Sequence, residues 1–430
     1  MMSNVSDRFN IRENSLIREA FYYTTHPTGV RIVICPKPEL KTFYAAFATK
    51  YGSIDNEFSV NGGDYTRVPD GIAHYLEHKL FEDEEGDAFR RYEKTGASAN
   101  AFTSREKTCY YFSCTRHFEQ AFEVLLDFVQ KPYFTPENVR KEQGIIAQEI
   151  KMSQDNPGSM VSSNLMRAMY RAHPIRDDIA GTVESISQIT PELLYKCYNT
   201  FYNPNNMVLA VSGNVDPKRV LEMCDKLLLT REKFDVECRL PEDDGIIVQP
   251  FVEKAFDVPF PIFQLGFKES WRQVTERERI LSGLIKKSVF GNISDFYDRM
   301  IQKKLINPGF RYGTIDVRGA LGTVFKGMSR SPETLRDEIF EEIERVKRDG
   351  ISPELFECAR RNSYGGIIYS FNYTEDIADN LLDDIMFDID TFAAIEAITN
   401  VTVDEANELF KLQYDISNST LSVVRRSKEA

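Results

Sequence analysis

The chain has 430 residues, 42% of them hydrophobic and 28% charged, with a formal net charge of −13. That is too long for one ordinary domain, and the balance is that of a soluble globular protein rather than a disordered one. The acidic excess excludes the basic stripe that a nucleic-acid-binding surface needs, and no apolar run reaches membrane-spanning length.

Along the chain, the N-terminal stretch MMSNVSDRFNIRENSLIREAFYY lacks the apolar core of a signal peptide, and its acidic residues do not suit a transit peptide. A cytoplasmic location is the default expectation. The seven cysteines are scattered without C-x-x-C spacing and read as free thiols of a reducing compartment. A strand is expected over 29–36 (GVRIVICP), followed by the apolar stretch 41–53 (KTFYAAFATKYGS).

Next comes His74-Tyr75-Leu76-Glu77-His78. On a helix, positions i and i+4 share a face, so both imidazoles can reach one metal ion. Glu77 lies beside that face, where a carboxylate can act as general base in metal-assisted hydrolysis; H-x-x-E-H is the inverted zincin spacing. The chain holds only five histidines, and two of them bracket a glutamate at ligand spacing. Phe81, three residues further on, is either core or a pocket wall beside the site. From Ser98 to Phe112 the sequence reads as one or two strands close to a turn.

The segment Pro136 to Met152 reads as a helix with Val139, Ile145, Ile146 and Ile150 apolar. Its Glu142 and Glu149 are two turns apart on roughly one face. Glu149 can complete a site of two histidines and one glutamate with an open fourth position, the layout of a catalytic zinc. A strand follows over 207–215, and a charged stretch over 231–244 is expected as a linker between a metal-bearing domain (1–230) and a second domain (245–430).

The second half repeats the order: a strand over 260–267, a helix through Arg277 to Phe290, strands over 310–328, then charged helices to the end. Sliding the motif by 209 positions sets His74, Glu77 and His78 against Gly283, Lys286 and Lys287, and Phe81 against Phe290. The second copy keeps a helix and loses every metal group. The fold expected is α+β: two similar domains from an internal duplication, each a mainly antiparallel sheet packed with helices.

The stretches GIAHYLEHKLF (71–81), GASANAFTSREKTCYYF (96–112), EQGIIAQE (142–149), HPIRDDIAGTVESI (173–186) and FYNPNNMVLAVSGNVDP (201–217) together resemble the pitrilysin family of zinc peptidases. The likeness is greatest to its half-length bacterial members and to the catalytic subunit of the mitochondrial processing peptidase. The resemblance implies zinc ligands His74, His78 and Glu149, one Zn2+ per chain, Glu77 as base and Glu142 as an assisting carboxylate. It also implies an edge strand around Ala99 to Phe102, with Asn100 and Ala101 holding the substrate backbone. The family's second-half arginine and tyrosine have Arg299 and Tyr312 as their nearest candidates here, lying further apart than the family pattern allows.

The expected activity is zinc-dependent endopeptidase cleavage of short or unfolded peptides, inside a chamber closed by a homodimer or by a motif-free paralogue. A non-catalytic scaffold and a dedicated precursor-processing protease are the alternatives, since fold alone does not fix function.

Overall fold

A computed structural model describes residues 8–14, 19–84 and 86–427; part of the N-terminal stretch read above for targeting signals, residues 1–7 and 15–18, lies outside them. Seven strands, β1 (Asn10–Asn14), β2 (Glu19–Thr25), β3 (Arg31–Pro36), β4 (Phe43–Thr49), β5 (Ser98–Thr103), β6 (Thr108–Cys114) and β7 (Met207–Gly213), form one sheet in the order β1-β2-β3-β7-β4-β6-β5. Five more, β8 (Phe251–Ala255), β9 (Ile262–Glu269), β10 (Arg311–Val317), β11 (Ala320–Met328) and β12 (Ser419–Arg425), form another in the order β8-β12-β9-β11-β10. The order β3-β7-β4-β6-β5 of the first sheet is that of the second, and in both only the first of these pairs, β3 with β7 and β8 with β12, is parallel. The expected duplication and the mainly antiparallel α+β character are both present.

The central strands are covered on both faces: β7 is buried throughout and β4 at six of its seven residues. Such strands read in sequence as continuous apolar runs rather than as alternating ones. The helices that matter here are α1 (Ile72–Leu80), α2 (Pro136–Gln154), α3 (Pro157–Met169), α4 (Glu276–Phe290), α5 (Asp295–Gln302), α6 (Pro332–Asp349), α7 (Thr374–Phe387) and α8 (Val403–Gln413). The shift of 209 sets α1 against 281–289, all of it inside α4.

Contacts divide the chain into two compact units. The first is Met1–Gln148, Ile179–Arg239 and Ile368–Phe392; the second is Glu149–Asp178, Leu240–Ile367 and Ala393–Ala430. Each half of the chain therefore lends a helix to the other sheet. α7 packs on β3, β4 and β7, where Tyr44 donates to Asp379 at 3.0 Å and Arg31 to the Ile385 carbonyl at 2.5 Å. α3 packs on the equivalent β8, β9 and β12. This division differs from borders drawn at 230 and 245 along the chain. Within 231–244, Val236–Cys238 pairs with Glu57–Val60 in a small sheet, so this part of the stretch is hydrogen-bonded structure.

The end of the chain departs from the all-helical reading. Residues 419–425 (STLSVVR) are a strand, β12, inserted between β8 and β9 with six of seven residues buried. Its period is hidden for the same reason as that of β7: a strand covered on both faces shows no alternation. Among the described residues no helix is long and apolar enough to cross a membrane.

Candidate metal centre

α1 starts at a crowded turn. Gly71 has φ of 92°, and a Cβ there would lie 2.4 Å from the Ala180 carbonyl oxygen; Gly181 has φ of 74°, and its Cβ would lie 2.4 Å from the oxygen of Asp70. Only glycine meets both demands without strain. Ser185 then donates to the Asp70 carbonyl at 2.7 Å, fastening the 180–185 loop to the start of α1. Ile72, Ala73, Leu76 and Leu80 are buried, which turns the His74/His78 face towards α2. The Tyr75 hydroxyl donates to the Val139 carbonyl and ties the two helices together.

Across this junction His74, His78 and Glu149 each offer one ligand atom, and the three atoms lie within 4.8 Å of one another. The two imidazole rings meet edge to face at 4.6 Å between centroids. Glu149 is the first residue past the boundary between the units, but α2 runs unbroken from Pro136 to Gln154 across it. Glu142, two turns earlier, takes a different position: its Oε1 is 3.0 Å from His78 Nδ1. With a carboxylate as partner, Nδ1 carries the proton and Nε2 keeps its lone pair for a metal.

Burial alone would raise the Glu142 pKa, but the His78 hydrogen bond and charge, with Lys79 and Lys141, outweigh it and hold the carboxyl below its ordinary value. Burial, then the neighbouring His78, pushes His74 down to about 4. His74 is thus neutral at physiological pH, the form a metal binds. Two imidazoles and a carboxylate converging on one point are the donor set of catalytic zinc, so the residues fit the ion the sequence implies.

Glu77 is 9% exposed, and its Oε2 accepts a 2.6 Å hydrogen bond from the Thr103 hydroxyl at the end of β5. A cavity of about 570 Å³ opens here, walled by Glu77, His78, Phe81, Asn100, Glu142 and Ile145 among others. Phe81 serves both purposes foreseen for it: its ring stacks on Phe89 at 4.4 Å and on Phe128 at 5.0 Å while one side faces the cavity. β5 is the edge strand of its sheet, with Ala101 opposite Tyr110 and exposed Asn100 opposite Tyr111 on β6. The Asn100 side chain accepts from the Ala101 N–H at 2.9 Å.

Arg299 and Tyr312 lie in the second unit and do not line this cavity. Arg299, expected as a substrate contact, donates at 2.7 Å to Glu342, a carboxylate only 4% exposed that also takes Arg345 at 2.7 Å. Its charge neutralises a buried acid. Tyr312, half-buried on β10, packs on the second unit's core with its hydroxyl close to Gly291. Sequence reasoning passed over Thr103, the Tyr75–Val139 bond and the Gly71/Gly181 pair. Thr103 stood inside a quoted stretch, and a hydroxyl at a strand end was the only signal available.

Two copies of one α+β fold, with one metal-capable cluster among the described residues, define a duplicated architecture of metallopeptidase type. Residues 59–183 match the insulinase (peptidase family M16) domain, and 188–363 match the peptidase M16 inactive domain. The chain is 35% identical over 422 residues to an uncharacterized zinc protease, YmfH, of Bacillus subtilis, covering 96% of this chain and 98% of that one. A putative M16-like peptidase from Alicyclobacillus acidocaldarius has a similar crystal structure: TM-score 0.90, 33% identity, 97% of this chain and 99% of that one. The chain belongs to peptidase family M16. The crystal structure of pitrilysin shares the fold at TM-score 0.74 and 15% identity over 97% of this chain, which spans 46% of pitrilysin's length.

Proposed function

We propose that the chain is a zinc-dependent endopeptidase for short or unfolded peptides, with His74, His78 and Glu149 as metal ligands. The observation that carries this is the convergence of those three donors beside a carboxylate, Glu77, held against an open cavity. Zinc bound there supplies Lewis acidity towards the scissile carbonyl and makes water a nucleophile at neutral pH. Glu77 takes the proton of the attacking water and delivers it to the leaving amine; the Thr103 hydroxyl fixes the carboxylate for that transfer. Glu142 acts through His78, holding its ring and tautomer.

Substrate binds as an added strand on β5, main chain to main chain at Asn100 and Ala101, with Phe81 as an apolar wall. Arg299 takes no step, because Glu342 holds its guanidinium. Tyr312 remains the candidate second-unit donor towards substrate. Catalysis in this reading takes place in a two-chain enclosure, formed in the cytoplasm by two copies or with a motif-free relative.

Quenched fluorescent peptides of a few tens of residues, set against a stably folded protein, test the reading. Peptides should be cut, folded domains spared, and Glu77→Gln should lower turnover by at least about a hundredfold. Undiminished cleavage by that variant would remove Glu77 from the mechanism.

A further inference from the structure

Lys79 follows the second histidine of the motif on α1, and its side chain is wholly buried. Lysine is almost never sealed from water without a partner, because its ammonium gives up hydration that an apolar side chain would not need. Packing alone would therefore favour leucine or methionine at this position. The ammonium has two acidic neighbours: it donates to Glu82 Oε2, and Oε2 of Glu142 lies 4.0 Å away.

Glu142 thus has a partner at each oxygen. Its Oε1 is 3.0 Å from His78 Nδ1 while its Oε2 is the atom nearer the ammonium, so turning the carboxylate away from the imidazole would also break its approach to Lys79. At 4.0 Å that second contact is an attraction between charges rather than a hydrogen bond, and it is strong because the Glu142 side chain is only 12% exposed. Glu82 holds the ammonium from the other side. It begins a short hairpin, Glu82–Asp83 paired with Gly86–Asp87, and Glu82, Gly86 and Asp87 wall the cavity beside the metal centre. Lys141 also comes within 4.0 Å of Glu82, but it is 69% exposed and screened by solvent, which leaves Lys79 as the inner cation of the group.

We propose that Lys79 is a positioning residue of the metal centre, acting on His78 through Glu142. The proposal rests on the reading of His78 as a metal ligand. The ammonium, anchored by Glu82, fixes the rotation of the Glu142 carboxylate; the carboxylate stays on Nδ1, and the imidazole keeps the single tautomer whose Nε2 lone pair is open to a metal. Without the ammonium, Glu142 is free to turn, the ring loses its fixed partner, and both tautomers become populated.

Ring-nitrogen NMR of the metal-free full chain reads the His78 tautomer, and chelator competition reads zinc affinity. The wild type should show His78 protonated at Nδ1. Lys79→Met should show both tautomers and bind zinc about tenfold more weakly. In a Glu142→Gln background the same substitution should change zinc affinity by less than about twofold, since the residue it acts through is already gone. A wild-type His78 protonated at Nε2, or a Lys79→Met chain that keeps the Nδ1 proton and full zinc affinity, would overturn the proposal. So would an equal loss of affinity with and without Glu142, which marks a packing role only. A wild type that binds no zinc would defeat the metal reading itself, while the tautomer comparison would still decide the role of Lys79. If Lys79→Met does not fold, Lys79→Gln, which keeps a polar contact to Glu82 without the charge, gives the same comparison.

Discussion

At the scale of single residues, the three carboxylates singled out in the sequence have different surroundings, and the proposed reading gives them different work. Glu77 is fixed by a hydroxyl, Glu142 by an imidazole, and Glu149 faces the two histidines. Thr103→Val keeps shape and removes the donor to Glu77, so turnover should fall about tenfold with metal content unchanged. Glu142→Gln should instead weaken metal binding by about 10–100-fold, the usual consequence of losing a ligand's orienting carboxylate. Kinetics and chelator competition on the two variants check the split; equal metal loss in both would show that the roles are misassigned.

Glu269 gives a pH prediction in the second unit. Its folded pKa is raised from the ordinary 4.5 to about 7 by burial, so between those values the native state binds more protons than the unfolded one. Stability from this group is complete below pH 4.5 and is lost as pH rises through 7, by up to about 3 kcal/mol. Urea midpoints between pH 5 and 7.5 should therefore fall more steeply for the wild type than for Glu269→Gln. Parallel curves would place the ionised carboxylate in a satisfied environment.

At the scale of elements, two glycines near the site should respond with opposite signs. Gly71 has positive φ and meets backbone at 2.4 Å, so Gly71→Ala should lower stability by about 1–3 kcal/mol or more and loosen the metal cluster. Gly144, inside α2 between Glu142 and Glu149, has nothing within 4 Å of a Cβ. Gly144→Ala should stabilise by up to about 1 kcal/mol. Denaturation midpoints of both variants measure this. The contrast also explains what was legible. The histidine spacing, α2 and its two glutamates, the β5–β6 hairpin and most strands follow from local periodicity. The Gly71–Gly181 approach and the Thr103–Glu77 bond join residues 110 and 26 positions apart, and no local pattern announces such pairs. Strands β8 and β12 were missed likewise, because short segments that pair across the length of a domain carry little signal of their own.

At the scale of the whole molecule, duplication was readable from the order of elements, but the exchange of α3 and α7 between the units was not, since an amphipathic helix does not declare which sheet its apolar face will cover. The duplication also bears on the proposed metal count: among the described residues one cluster of metal-capable side chains is found. On the shift of 209, which places α1 within α4, Gly283, Lys286 and Lys287 stand against His74, Glu77 and His78. Lys286, whose pKa burial lowers to about 8, donates to Ser282 instead of facing a metal. The most direct measurement is elemental analysis of the dialysed full chain after zinc loading, alongside Glu77→Gln and Glu149→Gln. One zinc per chain is predicted for the wild type and for Glu77→Gln, with a marked loss for Glu149→Gln. A wild-type chain that stays metal-free, or a Glu149→Gln chain that keeps its full zinc, would contradict the account.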